Sequence, residues 1–168
     1  FVSDKSGGIG GHDIYMSELG KNNQWGPAKL LPEIVNTPYD EEGVFMHADG
    51  KTLYFSSKGH NSMGGFDIFK TIHENGKWSK PENLGYPINT ADDDVFFSLS
   101  ASRRSGYYSS AKLDGYGDQD IYVITFLGDE KPFINNSEDN LLAWKTSPLS
   151  DDIIEQTIDV QIVSLTLF

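Results

Sequence analysis

The sequence predicts an all-β fold built from a repeated unit of about 53 residues, and three observations support this prediction. A triplet of aspartate, isoleucine and an aromatic residue occurs three times, at positions 13–15, 67–69 and 120–122. Two further landmarks recur in the same register, Trp25 with Trp78 and Asn36-Thr37 with Asn89-Thr90. Finally, 17 glycines, 7 prolines and the lack of a sustained 3.6-residue periodicity disfavour helices.

Each unit contains short strands. In the second unit, residues 43–48 and 52–57 are aromatic-rich runs on either side of Asp49-Gly50, a strong signal for a tight hairpin turn. Two more runs follow, on either side of a second turn signal, Asn75-Gly76. Four strands in about 53 residues is typical of the larger kind of propeller blade. The sequence therefore predicts a β-propeller, with about three four-stranded blade units present.

The predicted blades occupy residues 1–136. The first unit begins at its second strand, the second spans about 43–84, and the third spans about 95–135. We expect the third unit to be irregular, because its Asp-Gly turn is missing and no tryptophan follows its motif aspartate at the repeat spacing. Residues 137–168 are expected to form a linker and a strand, which either starts a following β-domain or packs on the last blade.

Composition and charge exclude several classes of function. Lys and Arg total 13 against 25 Asp and Glu, and the formal net charge of −12 makes nucleic acid an unfavourable partner. The lack of cysteine excludes disulfides, thiolate metal sites and cysteine nucleophiles. No apolar run of about 18 residues is present, so no direct membrane insertion is expected. No charged-then-apolar leader is found at Phe1, which favours a mature or excised piece of a protein.

The three motif aspartates, Asp13, Asp67 and Asp120, raise the question of acid–base catalysis. Their identical placement in every unit argues against it, because catalysis needs one asymmetric set of groups. A short carboxylate after a Gly-rich loop can accept backbone N–H bonds and fix the loop. We therefore predict that these aspartates are structural.

Other patterns that could carry chemistry also favour structural roles. The acidic clusters 40–42 and 92–94 could gather a hard cation such as Ca²⁺, but a solvated loop rim of turn-forming acids is the favoured interpretation. Residues 114–120 lack the spacing and the late glutamate of a calcium-binding loop. Ser62 misses the Gly-x-Ser-x-Gly pattern by one residue. The histidines show no recurrent metal-ligand spacing; they are His12, His47, His60 and His73. The sequence predicts no catalytic, cofactor-binding or metal site.

Aromatic residues lead to two further predictions. Trp25 and Trp78 recur at one position of the unit, each shortly before a proline, which favours packing between neighbouring blades over stacking on sugars. Tyr39, Tyr86 and Tyr116 are candidates for an exposed binding rim, because tyrosine is enriched at protein interfaces.

The repeat resembles the TolB-type, WD-repeat-like propeller repeat of bacterial envelope proteins. The matching stretches are residues 49–57, Asp-Gly-Lys-Thr-Leu-Tyr-Phe-Ser-Ser, and residues 64–69, Gly-Gly-Phe-Asp-Ile-Phe. Residues 84–90 and 92–97 are similar to a longer pattern in PorE-like, OmpA-family multidomain lipoproteins of gliding, type-IX-secreting bacteria. This resemblance implies a larger, six-bladed ring in the periplasm, associated with the outer membrane. Other envelope proteins are the implied partners, and peptidoglycan is an implied partner only through a terminal domain outside this chain.

Together these observations favour a non-enzymatic scaffold that binds proteins of the bacterial envelope, within a type IX secretion or gliding machinery. No cofactor is expected. The alternative is a propeller that binds or hydrolyses carbohydrate or peptide with carboxylates of its central channel. An enzyme would gather two or more non-equivalent acids and a histidine in one pocket, whereas a scaffold would present an unbroken polar rim.

Overall fold

A computed structural model describes residues 1–112, 115–127 and 161–167 of the protein. The described residues form strands and turns and contain no helix, so none is long and apolar enough to cross a membrane. The strands are β1 (Val2–Ser3), β2 (Asp13–Met16), β3 (Lys29–Leu30), β4 (Glu41–Met46), β5 (Thr52–Ser57), β6 (Asp67–Glu74), β7 (Lys77–Trp78), β8 (Glu82–Asn83), β9 (Asp94–Leu99), β10 (Ser105–Ser110), β11 (Asp120–Leu127) and β12 (Gln161–Leu167).

The strands assemble into three antiparallel sheets, which confirms the predicted all-β class. The first sheet has the order β1-β2-β3, and the second has the order β4-β5-β6-β7 with β8 also paired to β6. The third has the order β9-β10-β11-β12. The two predicted hairpin turns join β4 to β5 and β6 to β7. Asn75 and Gly76 have φ angles of 51° and 74°, the positive values that a two-residue type I′ hairpin turn requires.

The strand register repeats between the second and third sheets. Ser57 lies opposite Asp67 in the second sheet, and Ser110 lies opposite Asp120 in the third. Strand β12 pairs with β11 on the side where β8 pairs with β6. The last predicted strand is thus present as β12 at the edge of the third sheet, and whether it also leads to a following β-domain stays a prediction. The predicted linker before it, residues 137–160, lies outside the described residues.

Two hydrophobic clusters fill the spaces between successive sheets. The cluster between the first and second sheets consists of Ile14, Leu31, Val35, Leu53, Phe55 and Phe69. The cluster between the second and third sheets consists of Tyr54, Ile68, Ile88, Phe97, Leu99, Tyr108, Tyr122 and Ile124. Because successive side chains of a strand point to opposite faces, the middle sheet contributes to both clusters and is covered on both sides.

These contacts define two faces for each sheet. The front face of the second sheet carries Phe55 and Phe69 and packs on the first sheet, and its back face carries Tyr54 and Ile68 and packs on the third. The front-face residues at the same repeat positions are Phe1 and Tyr15 in the first sheet and Tyr108 and Tyr122 in the third. The back-face residues at those positions are Ile14 in the first sheet and Tyr107 and Ile121 in the third.

The prediction that both repeated tryptophans lie between sheets is wrong for Trp25 and correct only in part for Trp78. Trp78 is half-buried, packs against the cluster between the first two sheets and lies 4.6 Å from the His73 ring, centroid to centroid. Trp25 is 71% exposed. The difference follows from the neighbouring sheet: the first sheet covers the front face of the second, whereas no described sheet packs on the front face of the first.

The third unit lacks the Asp-Gly turn, yet its hairpin keeps the same backbone geometry. Gly50 has a φ of +70°, and Arg103, at the same repeat position, has a φ of +57°. This left-handed conformation is strained for a residue with a Cβ. The Arg103 guanidinium also donates a hydrogen bond to Asp49 Oδ2 of the neighbouring sheet, at 2.6 Å. Burial by itself would raise the pKa of Asp49, but hydrogen bonds from His47 and Thr52 hold that pKa well below its usual range.

Candidate functional site

The Gly-rich loops gather at one end of the sheets. In antiparallel sheets, the starts of the first and third strands and the end of the second strand lie on the same side. We call the surface formed by residues 4–12, 37–40, 58–66, 84–93 and 115–119 the loop end. Its loops pack closely: a Cβ at Gly10 would lie 2.0 Å from the Tyr39 carbonyl oxygen, and a Cβ at Gly64 would lie 2.2 Å from that of Ala91. Both positions therefore require glycine.

The motif aspartates fix these loops, as the sequence predicts. Asp13 Oδ2 accepts hydrogen bonds from the Ile9 and Gly10 amides at 2.9 and 3.2 Å. The same bond in the other two units joins the Met63 amide to Asp67 and the Tyr116 amide to Asp120, each at 2.7 Å. Asp67 also accepts a bond from Asn83 Nδ2 at 2.8 Å. In each unit the carboxylate closes the loop that precedes its own strand.

The repeated asparagines, Asn36 and Asn89, each form paired hydrogen bonds with the backbone of one strand, β2 and β6 respectively. We call this arrangement the asparagine clamp, and the sequence pattern did not predict it. Asn89 is fully buried; its Oδ1 accepts from the Ile68 amide and its Nδ2 donates to the Ile68 carbonyl, both at 2.8 Å. Asn36 forms the same two bonds with Ile14, at 2.8 and 3.1 Å. Each side chain thus pairs with a strand as the backbone of a neighbouring strand would. The recurrence of Asn-Thr in the sequence was the signal that could have indicated this.

Two buried acids, Glu41 and Asp94, lie at equivalent repeat positions, at the starts of β4 and β9. Thr37 donates to the Glu41 carboxylate from its amide at 3.0 Å and from its hydroxyl at 2.6 Å, and Ser57 Oγ donates at 2.8 Å. Thr90 holds Asp94 in the same way. Asp94 is one methylene shorter than Glu41. Its Oδ1 has no hydrogen-bond partner among the described residues, and neither has the Oγ of Ser110, although Ser110 lies near enough to oppose the rise of the Asp94 pKa.

The acidic clusters therefore do not form a simple solvated rim. Glu41 and Asp94 are fully buried, which corrects the prediction for these two residues. The acids that precede them link neighbouring units: Asp40 accepts a bond from the His12 amide at 3.1 Å, and Asp93 accepts one from the Phe66 amide at 2.8 Å. Glu41 and Asp94 are buried because each unit packs its loop against the next, a long-range effect that the local run of acids does not reveal.

Burial raises the pKa of three carboxyl groups at the strand starts beneath the loop end, Glu41, Asp67 and Asp94, although hydrogen bonds to each of them oppose the shift. The nearby charge of Asp13 also raises the pKa of Glu41. A raised pKa is a property of many general acids. However, all three side chains are 0% exposed, so a substrate has no access to them. Their hydrogen bonds come from threonine, serine, asparagine and backbone groups, and the Oδ1 atoms of Asp67 and Asp94 have no partner among the described residues.

The remaining candidate residues are also engaged locally and lie apart from one another. Ser62 Oγ donates to the Gly65 carbonyl at 2.9 Å, inside its own loop. The histidines have four separate partners: Glu42 for His12, the Ser100 carbonyl for His47, the Val35 carbonyl for His60, and the Trp78 ring for His73. Within the part of the chain that the structure describes, no group of three or more His, Cys, Asp or Glu side chains could hold a metal ion.

The outer surface of the loop end is aromatic and acidic. The predicted rim tyrosines are exposed, Tyr39 by 61%, Tyr86 by 84% and Tyr116 by 92%. Asp92 and Asp118, in the same loops as Ala91 and Tyr116, are also exposed. Lys58 lies at the same end, but its ammonium group is 3.7 Å from Asp40 and 4.4 Å from the centre of the Phe66 ring. This surface combines hydrophobic area with hydroxyl groups and negative charge.

Comparison of the chain with protein-family models, with curated proteins and with solved structures found no match. The geometry alone therefore characterises the site. It consists of buried acids that hold loops, beneath an exposed surface of tyrosines and carboxylates.

Proposed function

We propose that the chain is a non-enzymatic, protein-binding scaffold. The observation that carries this proposal is the repetition of one hydrogen-bond network from unit to unit. The carboxylates that could do chemistry, Asp13, Asp67 and Asp120, are engaged with loop amides at equivalent positions. A catalytic site needs a set of groups that occurs once and is asymmetric. A network that repeats is what a scaffold needs to hold its loops.

The three sheets are blades of a β-propeller in this proposal. Two features support it: consecutive sheets pack face to face, and consecutive units are joined through the same atoms. The Glu41 amide donates to the His12 carbonyl at 2.8 Å, and the Asp94 amide donates to the Phe66 carbonyl at 2.7 Å. Radial repetition of four-stranded sheets is the principle of the propeller. The resemblance to the TolB-type repeat favours a ring of six blades.

The loop end is the proposed binding surface. Tyrosine supplies contact area with little loss of conformational entropy, and exposed tyrosines are enriched where proteins bind one another. Asp92 and Asp118 add negative charge there, in a chain whose net charge is −12. A partner with a basic surface and apolar side chains is complementary to this end. Its association should weaken as salt is added, because exposed charges are screened within about 8 Å at physiological ionic strength.

The proposed location is the periplasmic side of the bacterial outer membrane. This part of the proposal rests on the resemblance of residues 49–57 and 64–69 to the envelope repeat. The partners would then be other envelope proteins, including components of a type IX secretion or gliding machinery.

Site-specific photo-crosslinking in the source bacterium tests the proposal. A crosslinking amino acid replaces Tyr86 at the loop end, and a matched control replaces Lys77, an exposed residue at the opposite end of the same sheet. We expect one discrete protein adduct in the envelope fraction from position 86 and none from position 77. Adducts at both positions, or at neither, would contradict a specific binding surface at the loop end. Recovery of the protein in the cytosolic fraction would contradict the proposed location.

A further inference from the structure

Each of the two outer sheet faces carries apolar side chains that no described residue covers. On the front face of the first sheet, Phe1 is 56% exposed and Trp25, at the position of Trp78, is 71% exposed, whereas Tyr15 is 6% exposed beneath the stacked Phe1 ring. On the back face of the third sheet, Tyr107 is 51% exposed and Ile121 is 58% exposed. Large aromatic and aliphatic side chains grouped on a sheet face indicate a surface that packs on another.

The same positions are covered in the middle sheet. Phe55, at the position of Phe1, is 0% exposed, and Ile68, at the position of Ile121, is also 0% exposed. The first sheet covers the former and the third sheet covers the latter. A back face of this repeat therefore packs on a front face, and it does so twice among the described residues. Among those residues, one further back face and one further front face remain, on the third and on the first sheet.

We propose that the back face of the third sheet in one copy of the chain packs against the front face of the first sheet in a second copy. The occupant is a second copy because the chain itself carries both halves of the interface that it forms internally. Packing at both ends would place two chains head to tail with two-fold symmetry, so that the six sheets formed by their described residues surround one axis. Six lies within the usual range of about 4–8 propeller blades. The proposal does not depend on what the loop end binds.

Charge makes the association salt-dependent in a specific direction. Each chain has a net charge of −12, so two copies repel each other at long range. The residues at the proposed contact are apolar, and burial of apolar surface is not weakened by screening of charges. The dimer should therefore become tighter as salt is added, opposite to the trend expected for a basic partner at the loop end.

Sedimentation velocity tests the proposal with the 168-residue chain over a range of concentrations, at low and high sodium chloride. We expect a monomer–dimer equilibrium that shifts toward dimer with concentration and with salt. Trp25→Asp and Ile121→Asp should each weaken dimerisation by about tenfold or more, as loss of a central apolar contact does. Met63→Asp changes an apolar residue of the loop end that is 47% exposed and should leave dimerisation unchanged.

A mixing experiment identifies which faces meet. Trp25→Asp damages only the front face, and Ile121→Asp damages only the back face. Each variant alone lacks an intact junction, but a mixture of the two retains one, between the back face of the first variant and the front face of the second. We expect heterodimers in the mixture and monomers in each separate sample. Tyr107→Asp provides a second back-face variant, and thermal melts verify that every variant is folded.

Three results would overturn the proposal. The first is a wild-type chain that stays monomeric at every concentration and salt. The second is a dimer that persists in Trp25→Asp and in Ile121→Asp. The third is a mixture that forms no heterodimer although the wild-type chain dimerises, which would show that like faces meet.

Discussion

Replacement of Asn89 by alanine should cause one of the largest losses of stability available from a single polar side chain in this protein. Asn89 is 0% exposed and forms both of its 2.8 Å bonds with the backbone of Ile68, in the middle of the second sheet. Alanine leaves the Ile68 N–H buried without a partner, whereas the Ile68 carbonyl keeps its bond from the Leu84 amide at 3.0 Å. One such unpartnered group costs about 1–3 kcal/mol, so the free energy of unfolding should fall by about that amount. The total free energy of unfolding of a typical domain is only about 5–15 kcal/mol.

Urea denaturation at 25 °C, followed by tryptophan fluorescence and by circular dichroism, measures this loss. Asn36→Ala removes the same clamp in the first sheet and should also be strongly destabilising. Asn22→Ala is the matched control: Asn22 is exposed and bonds only to Gln24, so the change should stay within about 0.5 kcal/mol of wild type. An Asn89→Ala chain as stable as the control would refute the clamp as a source of stability.

Three further predictions concern the charged residues. Asp94→Glu should raise the free energy of unfolding by about 1 kcal/mol in calorimetry. The longer side chain can reach the unpartnered Ser110 hydroxyl, as Glu41 reaches that of Ser57. A lower melting temperature would contradict this prediction. Arg103→Gly should be less destabilising than Arg103→Ala. Both variants lose the bond to Asp49, but only glycine removes the left-handed backbone strain, which costs roughly 1–2 kcal/mol. Equal losses of unfolding free energy would show that the strain is absent. Stability should rise as the pH is lowered from 7 toward the ordinary carboxyl pKa, because the raised pKa of Glu41, Asp67 and Asp94 means that the folded state binds protons more tightly than the unfolded state. The stabilising contribution of Glu41 is complete below pH 4.5, and those of Asp67 and Asp94 are complete below pH 3.8. Asp49, whose pKa is lowered, loses its contribution only below pH 3.8. Melting temperatures recorded from pH 4 to pH 8 check the sign, and a steady fall on acidification across this window would contradict it.

The repeat made most of the strand positions predictable, because turn signals and alternating aromatic residues are local. Asp49-Gly50 and Asn75-Gly76 lie at hairpin turns as expected. The role of the motif aspartates was also predictable, since a carboxylate bonds the amides three and four residues before it, as Asp13 does with Gly10 and Ile9. Such short-range geometry depends little on the rest of the fold.

Features that depend on neighbouring sheets could not be predicted from one unit. Trp25 and Trp78 occupy the same repeat position, and only a covering sheet distinguishes an exposed indole from a half-buried one. Glu41 belongs to an acidic run that a local interpretation places in solvent, yet it is buried by Thr37 and Ser57. The contact between Arg103 and Asp49 spans two sheets, and the missing Asp-Gly turn gave no indication of it.

The central claim is that the buried carboxylates are structural, and Asp67→Ala tests it most directly. The variant deprives the Met63 amide of its acceptor and leaves the Asn83 side-chain amide with the Asn61 carbonyl alone. Measured together, urea denaturation and a screen of glycoside and peptide substrates should give a free energy of unfolding lower by about 1–3 kcal/mol and no turnover in either protein. Hydrolysis by the wild-type chain that disappears in the variant, at unchanged stability, would contradict the account.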